Sequence, residues 1–177
     1  ELRQRMRERL DLLGHGPRTR EPRQGTLRGA LDWSYQLLSE EERRAFAITG
    51  VFASVFELDA LTHLMERPAL ELVQGLCDKS LLVPQPDRGR FKVYASIRAY
   101  ALERLQELGD ADRILQRHAA RLAKVGSENV ERFELHANED AWHWLATEID
   151  DVLAATERTL EKEGASELAL GLLLVSD

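Results

Sequence analysis

The chain has 177 residues, 44% hydrophobic and 31% charged, enough to bury a core and far from disordered or collagen-like compositions. Its single cysteine, Cys77, excludes an internal disulfide framework and a multi-cysteine zinc site, and no apolar run reaches the length of a membrane span, so a cytoplasmic protein is expected. The net charge of −7 is uneven: residues 1–28 hold eight arginines against four acidic residues, leaving 16 basic against 27 acidic side chains in the rest, the wrong sign for a protein that binds by neutralising phosphates.

Leu2, Met6, Leu10 and Leu13 recur at helical spacing until Gly14-His15-Gly16-Pro17 breaks the pattern, so residues 1–13 read as a helix and 14–25, with two prolines and three glycines, as a linker. Thr26 is placed to cap a helix whose face is Leu27, Ala30, Leu31, Ser34, Leu37 and Leu38, flanked by Trp33 and Tyr35. Ser39 and Glu42 fit a capping box that opens a second helix through Phe46 and Ile48. A third segment carries Leu58, Leu61, Leu64 and Met65 and ends near Pro68; a fourth carries Leu70, Val73, Leu76 and Cys77. The period then changes: LLVPQ, the turn residues Pro86-Asp87-Arg88-Gly89 and RFKVY read as a β-hairpin, with Phe91 and Val93 on one face and Lys92 and Tyr94 on the other. From Ser96 to Leu108 the spacing is helical again.

Helices followed by one hairpin are the layout of a winged helix, assigned to 26–108. Residues 109–177 read as helices separated by Gly or short polar stretches: ADRILQRHAARLAKVG, NEDAWHWLATEIDDVLAATERTLEKEG and ASELALGLLLVSD. The expected fold is therefore mainly α, a winged helix followed by a helical array. The last segment is apolar on most of its surface and needs a cover; without a further repeat, self-association through 165–177 is expected.

Three motifs in order, RQGTLRGALDWSYQLLSEEERRAF, LCDKSLLV and SIRAYALERL, resemble the region just after the nucleotide-binding module of bacterial STAND-class signal-transduction ATPases, the large transcriptional regulators with an NB-ARC-type core. The resemblance runs over roughly residues 20–160. It implies a winged helix followed by an array related to tetratricopeptide repeats, with residues 1–13 as the last helix of the ATPase core. It also implies ATP or ADP as the nucleotide of the parent protein, and the upstream nucleotide-binding domain as a partner. The catalytic parts of that family lie upstream, and the chain has no G-x-x-x-x-G-K-[ST] loop. Where related eukaryotic members carry a Met-His-Asp triplet whose His reaches the nucleotide phosphates, this chain has Val93-Tyr94-Ala95, which leaves Tyr94 as the candidate nucleotide contact.

No catalytic residue, metal site or cofactor is expected within the segment. His15, His63, His118, His136 and His143 lack H-E-x-x-H spacing, although His136 and His143 would share a face on a continuous helix. Cys77 lies in an apolar stripe, and Glu148-Ile149-Asp150-Asp151 reads as a solvated helix face. Trp142 and Trp144, two apart, must point to different sides. The favoured function is a non-catalytic regulatory segment: the winged helix docks on the nucleotide-binding core, and the array senses a protein or small-molecule signal. The alternative is direct DNA binding, for which the helix before the wing, residues 69–80, exposes at most Glu71, Gln74, Asp78 and Lys79, a net negative set, while the wing offers Arg88, Arg90 and Lys92.

Overall fold

The computed structural model describes residues 27–86 and 89–160, together with Gly171 and Val175. The expected helix at 1–13, the linker 14–25, Thr26 and Arg88 lie outside the described residues. Among the described residues between 27 and 160, seven helices and three short strands follow in the order α1 (Leu27–Gln36), α2 (Glu40–Thr49), β1 (Val55–Glu57), α3 (Leu58–Met65), α4 (Leu70–Asp78), β2 (Val83–Pro84), β3 (Arg90–Lys92), α5 (Ala95–Glu107), α6 (Ala111–His136) and α7 (Glu139–Leu160). The run from α2 to β3 is a winged helix, with α4 in the position of a recognition helix, and α6 and α7 form a helical hairpin behind it.

Local chemistry sets the boundaries. Ser39 caps α2 by accepting from the Glu42 amide, and Glu42 reaches back to the Ser39 N–H at 2.9 Å. Three acidic residues in that first turn complement the helix dipole. Gly89 holds φ +78° in the wing turn, and its carbonyl accepts from Leu58 at 2.9 Å. The Asn138 side chain accepts from the Ala141 N–H at 2.9 Å and opens α7.

The hairpin is joined by a strand absent from the sequence reading. The antiparallel order is β1-β3-β2, with Phe56 opposite Phe91 and Glu57 opposite Arg90. Three residues, Val-Phe-Glu, are too few to show a period of two, which is why β1 is invisible to pattern reading. Pro84 sits in β2, an edge strand of this order, where its missing N–H costs no ladder bond.

Among the described residues, two separate apolar clusters result. The first fills the winged helix, where Phe46, Phe52, Phe56 and Tyr100 are fully buried, and it takes in Ala111, Ile114 and Leu115 of α6. The second joins Ala119 and Leu122 of α6 to Trp144, Val152 and Ala155 of α7 and to Val175. Trp142, on the other side of α7, is 57% exposed and lies beside Phe133, the ring centroids 5.3 Å apart and the planes tilted by 33°. Three expectations fail locally. Leu37 is exposed because α1 ends at Gln36, and Leu70 is half exposed at the first position of α4. Gly126 lies inside α6 rather than ending a helix, and a Cβ there would sit 2.5 Å from a Val175 methyl. Of the 165–177 segment, Gly171 and Val175 are described; Val175 is buried against α6 of the same chain.

Gly50 closes α2 where it meets α5. A Cβ at this position would lie 2.5 Å from the Leu102 nitrogen and 2.8 Å from its Cα, both backbone atoms of a packed helix. Gly50→Ala is therefore expected to destabilise the protein by about 1–3 kcal/mol through overpacking, read as a lower urea midpoint at unchanged slope.

Candidate functional site

The surface on which winged helices usually meet a ligand is formed by α4 and the wing. On α4 and its C-cap the exposed side chains are Leu70, Glu71, Gln74, Asp78 and Lys79, one positive charge against two negative. Lys79 is already engaged: its Nζ donates to Glu42 Oε1 at 2.8 Å and to the Gly75 carbonyl. Arg67, just before α4, is paired with Glu41. The face offered by α4 is thus acidic, with an exposed leucine at its start.

The wing residues separate. Lys92 is exposed, and Arg88 is outside the described residues. Arg90 is 8% exposed, with Nη2 donating to Glu57 Oε1 at 3.1 Å and Nη1 donating to Thr147 Oγ1 at 3.0 Å, 3.2 Å from His143 Nε2. Strand alternation places Arg90 and Lys92 on one face of β3, and α7 covers the Arg90 end of it. Arg90 is committed to holding the array, and reaching a phosphate would break three contacts. Tyr94 is 55% exposed and immediately precedes α5, so its ring stands at the surface between the wing and that helix.

A cluster missed by sequence reasoning lies between α7 and the loop after α2. The reading of Glu148-Ile149-Asp150-Asp151 as a solvated face is corrected: Glu148 and Asp151 are 2% and 0% exposed, while Asp150 stays outside. Spaced three apart, the two carboxyls share one side of α7, alongside Trp144, Val152 and Ala155. That buried side was the available signal. Asp151 Oδ1 accepts from the Ala53 N–H at 2.6 Å; Arg98 Nη1 donates to the Ala53 carbonyl at 2.6 Å, and Arg158 Nη1 to the Val51 carbonyl at 3.3 Å. Three charged side chains thus satisfy the backbone of loop 50–54.

Burial pushes the Glu148 carboxyl up to about 8, with the Asp151 charge adding to it against Arg121. Asp151 is pushed up to about 6, again by burial, opposed by the amides of Ala53 and Ser54. His118 lies edge-on to Phe52 and 3.8 Å from Asp151, and neither ring nitrogen has a hydrogen-bond partner among the described residues. Burial, then the charges of Arg158 and Arg121, push it down to about 3, so it is neutral.

No group of three or more His, Cys, Asp and Glu is arranged to hold a metal among the described residues. His136 ends α6 and His143 belongs to α7, so the two do not share a helix. Cys77 is half-buried, and burial pushes its thiol up, with Asp78 adding, the reverse of an activated nucleophile. Among the described residues no helix is long and apolar enough to cross a membrane.

No family model matches the chain, and no solved structure matches it. It is similar to a protein named "Putative HTH-type transcriptional regulator" in Mycobacterium tuberculosis and in Mycobacterium bovis, 33% identical over 159 residues that cover 81% of this chain and 17% of the relative. It is also similar to an uncharacterised protein of Mycobacterium tuberculosis, 35% identical over 106 residues that cover 55% of this chain and 27% of that protein. The chain therefore spans well under a third of the length of these relatives.

Arg90→Ala is expected to lower stability by about 2 kcal/mol, because Glu57 and Thr147 lose a charge-assisted partner, while Lys92→Ala changes it by no more than about 0.5 kcal/mol. Urea denaturation of the two variants checks the contrast.

Proposed function

We propose that this chain is a non-catalytic regulatory module of a larger transcription regulator, with its winged helix serving as a protein-docking element. The observation that carries the reading is the acidic face of α4: Glu71 and Asp78 exposed, with Lys79 and Arg67 drawn into pairs with Glu42 and Glu41. A helix entering the major groove needs free Arg, Lys, Asn or Gln toward base edges and positive charge toward phosphate. Here only Gln74 has that chemistry, between two carboxylates. Similarity to a protein named as a helix-turn-helix transcriptional regulator supports the regulatory role, and the 17% share of that relative supports a module that works inside a longer chain.

In the finer reading the parent is a STAND-type ATPase. The winged helix docks on its nucleotide-binding core, ATP or ADP belongs to that core, and the array behind the winged helix is a tetratricopeptide-like platform that receives a protein or small-molecule signal. Tyr94, exposed at the start of α5, is the side chain offered toward the nucleotide side of such a contact. Docked and released forms of the winged helix would then be populations biased by nucleotide and signal.

The competing reading, direct DNA binding, is favoured only by Lys92 and by Arg88 of the wing. A gel-shift series on random duplex at low and moderate salt is expected to show no complex. A complex with a steep salt slope, lost in the Arg88→Glu, Lys92→Glu double variant, would establish the wing as a DNA contact and overturn the docking reading. Calorimetric titration of ATP or ADP into this chain is expected to give no binding tighter than about 10 μM, since the chain has no phosphate-cradling loop.

A further inference from the structure

The two apolar clusters do not merge through α7. Its apolar side chains Trp144, Val152 and Ala155 join those of α6, whereas its contacts with the winged helix are polar, through His143, Thr147, Asp151 and Arg158; Glu148, on the same side as the apolar row, stands where the two meet, facing Arg121 of α6 and Arg90 and Glu57 of the sheet. They meet Arg90 and Glu57 of the sheet, Arg98 of α5 and the backbone of loop 50–54. The helix α6 passes from the first cluster at Leu115 to the second at Ala119, so the C-terminal part of α6 and α7 share a core of their own. A polar seam, unlike an apolar one, depends on the charge state of its members.

Glu148 is the member whose charge is least provided for. Among the described residues no hydrogen bond reaches its carboxyl, although it is 2% exposed. It faces Asp151 on its own helix, Arg121 on α6, Glu57 on β1 and Arg90 on β3, and the guanidinium of Arg90 is already shared between Glu57 and Thr147. Asp151 faces Arg98, Arg158 and the amides of Ala53 and Ser54, which oppose the upward push of its burial; its Oδ1 accepts from Ala53, while its Oδ2 is buried without a hydrogen-bond partner among the described residues.

We infer that the seam between α7 and the winged helix is a proton-controlled joint, at which α7, with the part of α6 that shares its core, parts from loop 50–54 and β3 when Glu148 ionises. The inference concerns contacts within this chain and stands whether or not the winged helix docks on another domain. The direction follows from the environment of the carboxyl. Closed, Glu148 titrates at about 8; open and solvated, it titrates at its ordinary 4.5, so the closed form loses stability as pH rises between those values and regains none above them. Asp151, pushed up to about 6 in the closed form, is half titrated at pH 6 and adds only about a further twofold above it, and His118 acts only on the acid side, where its depressed value makes the closed form lose stability as pH falls toward 3. The larger part of the alkaline step belongs to Glu148. From pH 6 to 9 the opening constant should rise on the order of 100-fold.

The readout is hydrogen exchange of the Ala53 amide in the 177-residue chain, since its N–H donates across the seam to Asp151, with rates divided by the intrinsic exchange rate at each pH. Protection is expected to fall at least tenfold between pH 6 and 9 in the native chain and in the Glu157→Gln control on the exposed side of α7, and to stay level in Glu148→Gln. Unchanged protection in the native chain, or an equal fall in Glu148→Gln, would overturn the joint. Should Glu148→Gln fail to fold, titration of the Glu148 carboxyl carbon by NMR in the native chain decides: a midpoint at pH 7 or above sustains the inference, and one below 7 defeats it.

Discussion

The arrangement rests on how the buried backbone of loop 50–54 is satisfied. A loop between a helix and a strand brings N–H and C=O groups into the interior, and each needs a partner. Here Arg98 and Arg158 donate to the carbonyls of Val51 and Ala53, and Asp151 accepts from the Ala53 amide. Phe52, held in that loop, stacks on Phe56 at 4.3 Å, which seats β1 in the sheet and so the wing beside it. The close approach of Gly50 to Leu102 brings α5, and with it Arg98, to the loop. Removing any one of the three charged groups would leave a partly buried backbone group without that partner, so the clasp links the winged helix to the helices behind it more tightly than its small apolar contact would.

The pairing of the positive charges bears on function. A winged helix is a scaffold, and what it binds is set by the side chains it displays. In this chain the cations that a DNA-binding version would show to solvent are turned inward or paired: Arg90 toward α7, Lys79 toward Glu42, Arg67 toward Glu41. The acidic charge left on α4 suits a basic protein surface. Positive charge has been used to hold the module together, and the exposed face carries the remainder.

Much of the scaffold was legible in the sequence because its signals are local. The Ser39–Glu42 capping box, the periodic leucines of α3 and the turn around Gly89 each announce an element within a few residues, and helices followed by a hairpin suffice for a winged helix. The opposite directions of Trp142 and Trp144 follow from helix geometry alone, and Trp144 is the one in the core. What could not be read is non-local. Strand β1 exists because β3 is there to pair with it. Glu148 and Asp151 look like an exposed acidic run until loop 50–54 is packed against them, and Arg90 looks like a wing contact until α7 arrives 53 residues later. In each case burial depends on a partner distant in sequence, and composition favours the solvated reading of a charge.

The helix α7 and the C-terminal part of α6 are joined to the winged helix by polar contacts centred on Asp151 and carry an apolar core of their own, whereas the start of α6 belongs to the winged-helix core. Differential scanning calorimetry of Asp151→Ala against the native chain tests this most directly. The variant is expected to melt in two resolved steps, the earlier one from α7 with its share of α6 and the later one from the winged helix close to its native temperature. A single cooperative transition, merely shifted downward, would mean that the two clusters are one folding unit and that the seam is not where the molecule divides.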